Sequence, residues 1–256
     1  MTGGVLLAVA HGSRDPAAQR VIRALAGRAG ALVPGAEVRT AFVQHARPSL
    51  AEALAAAAQP RAVEPRAVVV PLLLSAGYHL SHDIGAAAAR AGVPVAAPLG
   101  PDPGLVRALA DRLGEAGVPP GTPVVLAAAG SADPRAAADT RSQAALLSAH
   151  LAAPVLAAFA SAARPAVDEA VAALTARTGG PVAVASYLLA PGVFHDRLRA
   201  SGAAWVSAPL GDHPAVAALV AGRFRTAMAS GSARETGPAA GPPAPAAATS
   251  MTFESP

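Results

Sequence analysis

Short apolar runs alternate with longer alanine-rich stretches along the first half of the chain. Val5–Ala10, Glu37–Val43 and Ala67–Leu74 read as strands, and Pro16–Val33, Ser49–Ala58 and His82–Ala91 as the helices that follow them. Strand and helix in alternation predict βαβ units and a parallel sheet. Val5–Ala10 and Val68–Leu74 are apolar without the every-other-residue pattern of a half-exposed strand, which places both at the centre of a sheet covered on its two faces. Helix starts are marked locally. Asp15-Pro16 offers a capping side chain and a proline in the first turn, and Ser49-Leu50-Ala51-Glu52 has the spacing of a capping box. The loops before such starts lie at the carboxyl ends of strands, where open parallel sheets bind ligands, and His11, Gln44 and His79 are expected there.

The second half repeats the first. Leu6 through Pro16 answers to Val124 through Pro134, Ala41-Phe42 through Arg47-Pro48 to Ala158-Phe159 through Arg164-Pro165, and Ala97-Pro98-Leu99-Gly100 to Ala208-Pro209-Leu210-Gly211. Three matches in the same order indicate a duplicated α/β unit. The expected division is an N-terminal lobe over 1–117, a linker at Gly117-Val118-Pro119-Pro120-Gly121, a C-terminal lobe over 122–229, and a Gly-, Pro- and Ala-rich tail over 230–256 that is expected to be disordered.

Composition narrows the chemistry. With no cysteine, disulfides, thiolate metal sites and thiol nucleophiles are excluded, so a metal must bind through His, carboxylate or amide groups. The 53% hydrophobic content is mostly alanine, interrupted by Gly, Pro and charge, and no run reaches the roughly 18–20 apolar residues of a spanning helix. Met1–Ala10 lacks the basic start of a signal peptide, and a cytoplasmic protein is expected. All 20 basic residues are arginine, scattered rather than clustered, and aromatics make up only 3%, which argues against a nucleic-acid surface. The net charge of +4 still favours an acidic small molecule.

Comparing the halves separates scaffold from chemistry. His11 is replaced by Ala129, Gln44 by Ser161, His45 by Ala162 and His79 by Phe194, while the neighbouring glycines and prolines persist. A duplicated fold needs its turns twice, whereas a single site needs its ligands once. Either histidine alone could pack or cap a turn, but their joint loss points to a site. Two neutral imidazoles with an oxygen donor suit Fe²⁺, Co²⁺, Ni²⁺ or Zn²⁺ rather than Mg²⁺ or Ca²⁺. His45 would point to the opposite sheet face if its strand continued, and joins the site only if the chain turns there. Ser81 or Asp83 could cap a helix, or Asp83 could orient an imidazole. His150, His195 and His213 have no partners in the pattern and are expected to be solvated. There is no phosphate-cradling Gly-x-Gly-x-x-Gly and no Gly-x-Ser-x-Gly elbow.

Ala10-His11-Gly12-Ser13-Arg14-Asp15-Pro16, Ala41-Phe42-Val43-Gln44 with Pro48-Ser49-Leu50, and Pro71 through His79 with His82-Asp83-Ile84 resemble the class II tetrapyrrole chelatases, the sirohydrochlorin cobaltochelatase and ferrochelatase group. The resemblance implies two chelatase-like α/β lobes with a cleft between them. It also implies a lyase-type insertion of Co²⁺ or Fe²⁺ into sirohydrochlorin on the way to cobalamin or sirohaem. The divalent ion is then a substrate, no organic cofactor is involved, and a monomer suffices because both lobes share one chain. Carried over by position, His11 and His79 are the catalytic, metal-handling pair, with Gln44 and His45 as secondary ligands. Ser13, Arg14, Gly77 and Tyr78 fall to substrate binding, with Arg14 and Arg47 facing its carboxylates, and His82 and Asp83 support from behind. One departure stands out: many members have glutamate at the position of Gln44. An amide coordinates weakly and cannot take a pyrrole proton, so proton removal falls to the histidines, with His45 as a possible substitute. The alternative is a metal or tetrapyrrole carrier with the same fold and no turnover.

Overall fold

In the computed structural model, residues 4–57, 67–75 and 77–235 are described, with side chains throughout except at 78–82 and 231–235. Ala58, the last residue of one expected helix, and 236–256 of the expected tail lie outside them. Two parallel sheets carry the chain. In the first, β1 (Val5–Ala10) lies between β2 (Glu37–Phe42) and β3 (Ala67–Pro71). In the second, β4 (Val124–Ala128) lies between β5 (Val155–Phe159) and β6 (Ala183–Tyr187), and the short β7 (Trp205–Val206) flanks β6. β1 is therefore central as expected. β3, expected at the centre as well, is instead an edge strand, whose outer side among the described residues carries only the parallel bridge from Val69 to Val95.

The helices are α1 (Pro16–Ala31), α2 (Leu50–Ala57), α3 (Tyr78–Arg90), α4 (Pro103–Glu115), α5 (Pro134–Leu151), α6 (Val167–Thr178), α7 (Val193–Arg199) and α8 (Pro214–Glu235). The local start signals act as read. The Asp15 side chain accepts from the Ala17 N–H at 2.8 Å, and Ser49 and Glu52 exchange the two bonds of a capping box. Two boundaries differ. β3 stops at Pro71 although the apolar run continues, because the next carbonyls are taken by other partners: Leu73 by the Leu99 N–H at 2.8 Å and Leu74 by a side chain of the second lobe. α3 begins at Tyr78 rather than His82, behind Gly77, which provides no side-chain cap.

Alternate β1 residues face different interiors, as the two-residue repeat of a strand requires. Val5, Leu7 and Val9 pack with Leu50, Leu54 and Ile84 on the outer side, and Leu6, Ala8 and Ala10 point into a core shared with the second lobe. That shared core includes Leu105, Leu109 and Leu113 of α4, Leu126 of β4, and Val216, Val220 and Phe224 of α8. The last helix of each half crosses to the other: α8 packs on α1, β3 and α4, while α4 packs on α5 and β6. Each lobe is thus completed by a helix from the opposite repeat, so the sequence boundary near 117–121 is not where the lobes part in space. α8 also runs through Glu235, which puts 230–235 in a helix rather than in a tail. Among the described residues no helix is long and apolar enough to cross a membrane.

Candidate metal site at the strand ends of the first lobe

His11 is the residue after β1, and Gln44 and His45 follow β2 by two and three positions. The two loops are locked together. The Gln44 N–H donates to the His11 carbonyl at 2.8 Å, and Gly12, at φ 100°, packs so closely that a Cβ there would overlap the Gln44 carbonyl oxygen. Only glycine fits such a backbone conformation and approach. The chain then turns: His45 has φ 61°, in the left-handed region rarely used by a non-glycine residue. That turn swings His45 toward His11, leaving the ring centres 6.4 Å apart at an interplanar angle of 76°. Two imidazoles sharing an ion at about 2.0–2.1 Å per nitrogen have centres roughly 5–6 Å apart, so a small rotation lets this pair grip one ion.

Both rings are exposed to an approaching ion. The His11 pKa is lowered, first by partial burial of its ring, which disfavours the charged form, and then by repulsion from His45. A ring that resists protonation stays neutral, the form in which imidazole can bind a metal. Gln44 is exposed beside the pair. Among the described residues no cluster of three or more histidine, aspartate or glutamate side chains forms.

His79 is not a strand-end residue. It is the second residue of α3, eight positions beyond the end of β3, and its side chain lies outside the described set, as do those of Tyr78 and His82. Its segment does face the second lobe, since a side chain at Gly77 would sit 3.7 Å from the Ser131 hydroxyl. Asp83 is the sixth residue of α3 and exposed, so it caps nothing. Ser13 accepts from the Asp15 N–H at 3.0 Å, and its counterpart Ser131 accepts likewise from Asp133 at 3.1 Å. This contact belongs to the repeated turn. Arg14 is exposed, and Arg47 is paired with Glu52.

The second lobe keeps the scaffold without the imidazoles. A Cβ at Gly130 would overlap the Ser161 carbonyl, Ala162 takes φ 55° where His45 takes 61°, and Val193 and Phe194 stand 68% and 39% exposed at the start of α7. His213 is not solvated as expected. It is 9% exposed, its Nδ1 accepts from the Ala215 N–H at 3.2 Å in the place Asp102 holds at α4, and its Nε2 meets Asp111 at 3.2 Å. His195 Nε2 lies 3.1 Å from the Ser207 carbonyl oxygen. Sequence reasoning also passes over Tyr187, which donates to the Leu74 carbonyl at 2.7 Å across the lobes. The repeat carries a signal here, because the first-lobe position matching Tyr187 is the apolar Leu72.

Comparison with known proteins bears on the fold and the family. SirB from Bacillus subtilis with Fe³⁺ superposes with a TM-score of 0.73 at 26% identity, covering 91% of this chain and 98% of that one. The sirohydrochlorin chelatase SirB from Bacillus subtilis subspecies spizizenii, in complex with cobalt, gives 0.69 at 23% identity over 90% and 97%, a likeness of fold. DR2241 from Deinococcus radiodurans, described as structurally similar to chelatases with additional domains, gives 0.60 at 23% identity over 87% and 54%. No curated protein matches the chain. The CbiX family model matches residues 5–116 and again 123–227, one copy on each repeat, and the chain therefore belongs to the CbiX family within the class II chelatases.

Proposed function

We propose that the protein is a sirohydrochlorin chelatase that inserts Co²⁺ or Fe²⁺ into the macrocycle, with His11, His45 and His79 as the metal-handling residues. Membership of the CbiX family and the likeness to SirB support a metal chelatase. The observation that carries the assignment to this site is the pairing of His11 and His45 at the strand ends of one lobe only, on turns that both lobes share.

The reaction replaces two pyrrole N–H protons by one divalent ion, so each turnover delivers M²⁺ and removes two protons. The exposed His11–His45 pair holds the ion at the lip of the first lobe. As the ion passes to the ring nitrogens, the freed imidazoles are bases of suitable strength for the leaving protons. His45 takes the part that Gln44 cannot, because an amide has no basic lone pair at neutral pH. Exposed Arg14, three residues beyond His11, suits a carboxylate-bearing substrate. Soft-borderline N donors accept both cobalt and iron, and supply in the cell then chooses between them.

The test is anaerobic mixing of sirohydrochlorin with Co²⁺ or Fe²⁺ and catalytic amounts of protein. Metal-dependent spectral turnover is expected. His11→Ala and His79→Ala each abolish it in a folded protein, and His45→Ala lowers it by about 10²-fold, a typical cost of losing a general base. Spectral change limited to one equivalent per chain would indicate the carrier instead, and wild-type rates in the His variants would remove the site.

A further inference from the structure

The segment that leads to His79 is fastened from the opposite lobe. Tyr187, at the end of β6, is 2% exposed, and its hydroxyl donates to the Leu74 carbonyl at 2.7 Å. Gly100 seals the junction, since a Cβ there would overlap both the Tyr187 hydroxyl and the Leu74 oxygen. Three residues further on, Gly77 lies against Ser131. The arrangement is one-sided. By repeat position the partner of Tyr187 is Leu72, which has no hydroxyl to offer, and Gly211, the counterpart of Gly100, meets Arg112 instead. The lobe without imidazoles at Ala129, Ala162 and Phe194 thus fastens the lobe that has them through a tyrosine that the first repeat does not have at the matching position.

We propose that Tyr187 is a positioning residue, through which the second lobe holds the backbone at Leu74 and so sets the place of His79 relative to the His11–His45 pair, with Ser131 beside Gly77 on the same approach to α3. This rests on the reading of His79 as a metal-handling residue. A ligand carried at the start of a helix behind an uncapped glycine needs its backbone fixed from outside, and residues that orient ligands in this way affect metal affinity without touching the ion.

Anaerobic Co²⁺ titration of the full chain tests this with Tyr187→Phe, His79→Ala and the double variant, after circular dichroism confirms that each is folded. Tyr187→Phe is expected to weaken Co²⁺ binding about tenfold. In the His79→Ala background it is expected to have no further effect, because the group it positions is gone. Should Tyr187→Phe not fold, Ser131→Leu at the lobe surface carries the same cycle, with a weakening of about threefold expected that also vanishes without His79. Equal weakening in both backgrounds, or none in either, would mean that Tyr187 merely holds the lobes together and would overturn the proposal while leaving the chelatase intact. Unchanged Co²⁺ affinity in His79→Ala itself would instead remove His79 as a ligand, and the proposal with it.

Discussion

The surroundings of His11 hold its ring in the neutral form. Its lowered pKa comes mainly from the partial burial of the ring and secondarily from His45, and both effects favour the neutral imidazole that a metal requires. A free histidine titrates near 6.5, so in the metal-free protein the His11 midpoint, followed by NMR, is expected below about 6.5 and to move upward in His45→Ala. The linkage has a definite sign. Above about 6.5 the ring is neutral in both the folded and unfolded chain, and there is no penalty. As pH falls from there toward the lowered folded value, the unfolded chain takes up the proton first and the fold loses stability. Stability attributable to His11 thus rises with pH across that window, and a midpoint above 6.5 would contradict the assigned environment.

At the scale of elements, the two loops after β1 and β2 act as one part, and their lock is the contact between Gly12 and the Gln44 carbonyl. The same lock joins Gly130 to Ser161. Gly12→Ala and Gly130→Ala are each expected to lower stability by about 1–3 kcal/mol from the left-handed backbone alone, read by chemical denaturation. Only Gly12→Ala should also weaken Co²⁺ binding in the folded fraction, because only there does prising the loops apart separate two imidazoles. Equal metal affinity in the two variants would show that the lock does not serve the site. Much of this level was legible in the chain. The caps at Asp15 and Ser49 were readable because a helix start is decided by neighbours in sequence. The repeat exposed His11, Gln44, His45 and His79 by their loss in the second half. The turn that brings His45 to His11 was not readable, since φ 61° at a histidine is imposed by packing of the loops rather than by residue type. The start of α3 has no sign in the sequence either, because Gly77 offers no capping side chain to mark it, and the apolar run before it therefore suggests a strand end at His79 where the structure has a helix.

The whole molecule depends on a feature with no local sign at all, the crossing of α4 and α8 between lobes. Both helices look like ordinary closing helices of a repeat, each following an Ala-Pro-Leu-Gly segment, and nothing in their sequences says which sheet they cover. The structure puts Val216, Val220 and Phe224 of α8 into the core against the first lobe, each 5% exposed or less. Burying three such side chains contributes roughly 5–9 kcal/mol, which is comparable to the about 5–15 kcal/mol that separates a whole domain from its unfolded state. A chain ending at His213 retains His11, Gln44, His45, His79 and the first sheet entire, yet it is expected to show no cooperative melting transition and to elute as an expanded or aggregated species. A chain ending at Glu235 should melt as the full-length protein does. The proposed metal site draws on residues of the first repeat alone, whereas the lobe that displays it shares its core with the last helix of the second repeat. If the chain ending at His213 melted within a few degrees of the full-length protein, the first lobe would be self-sufficient and the exchange of helices would carry no stability.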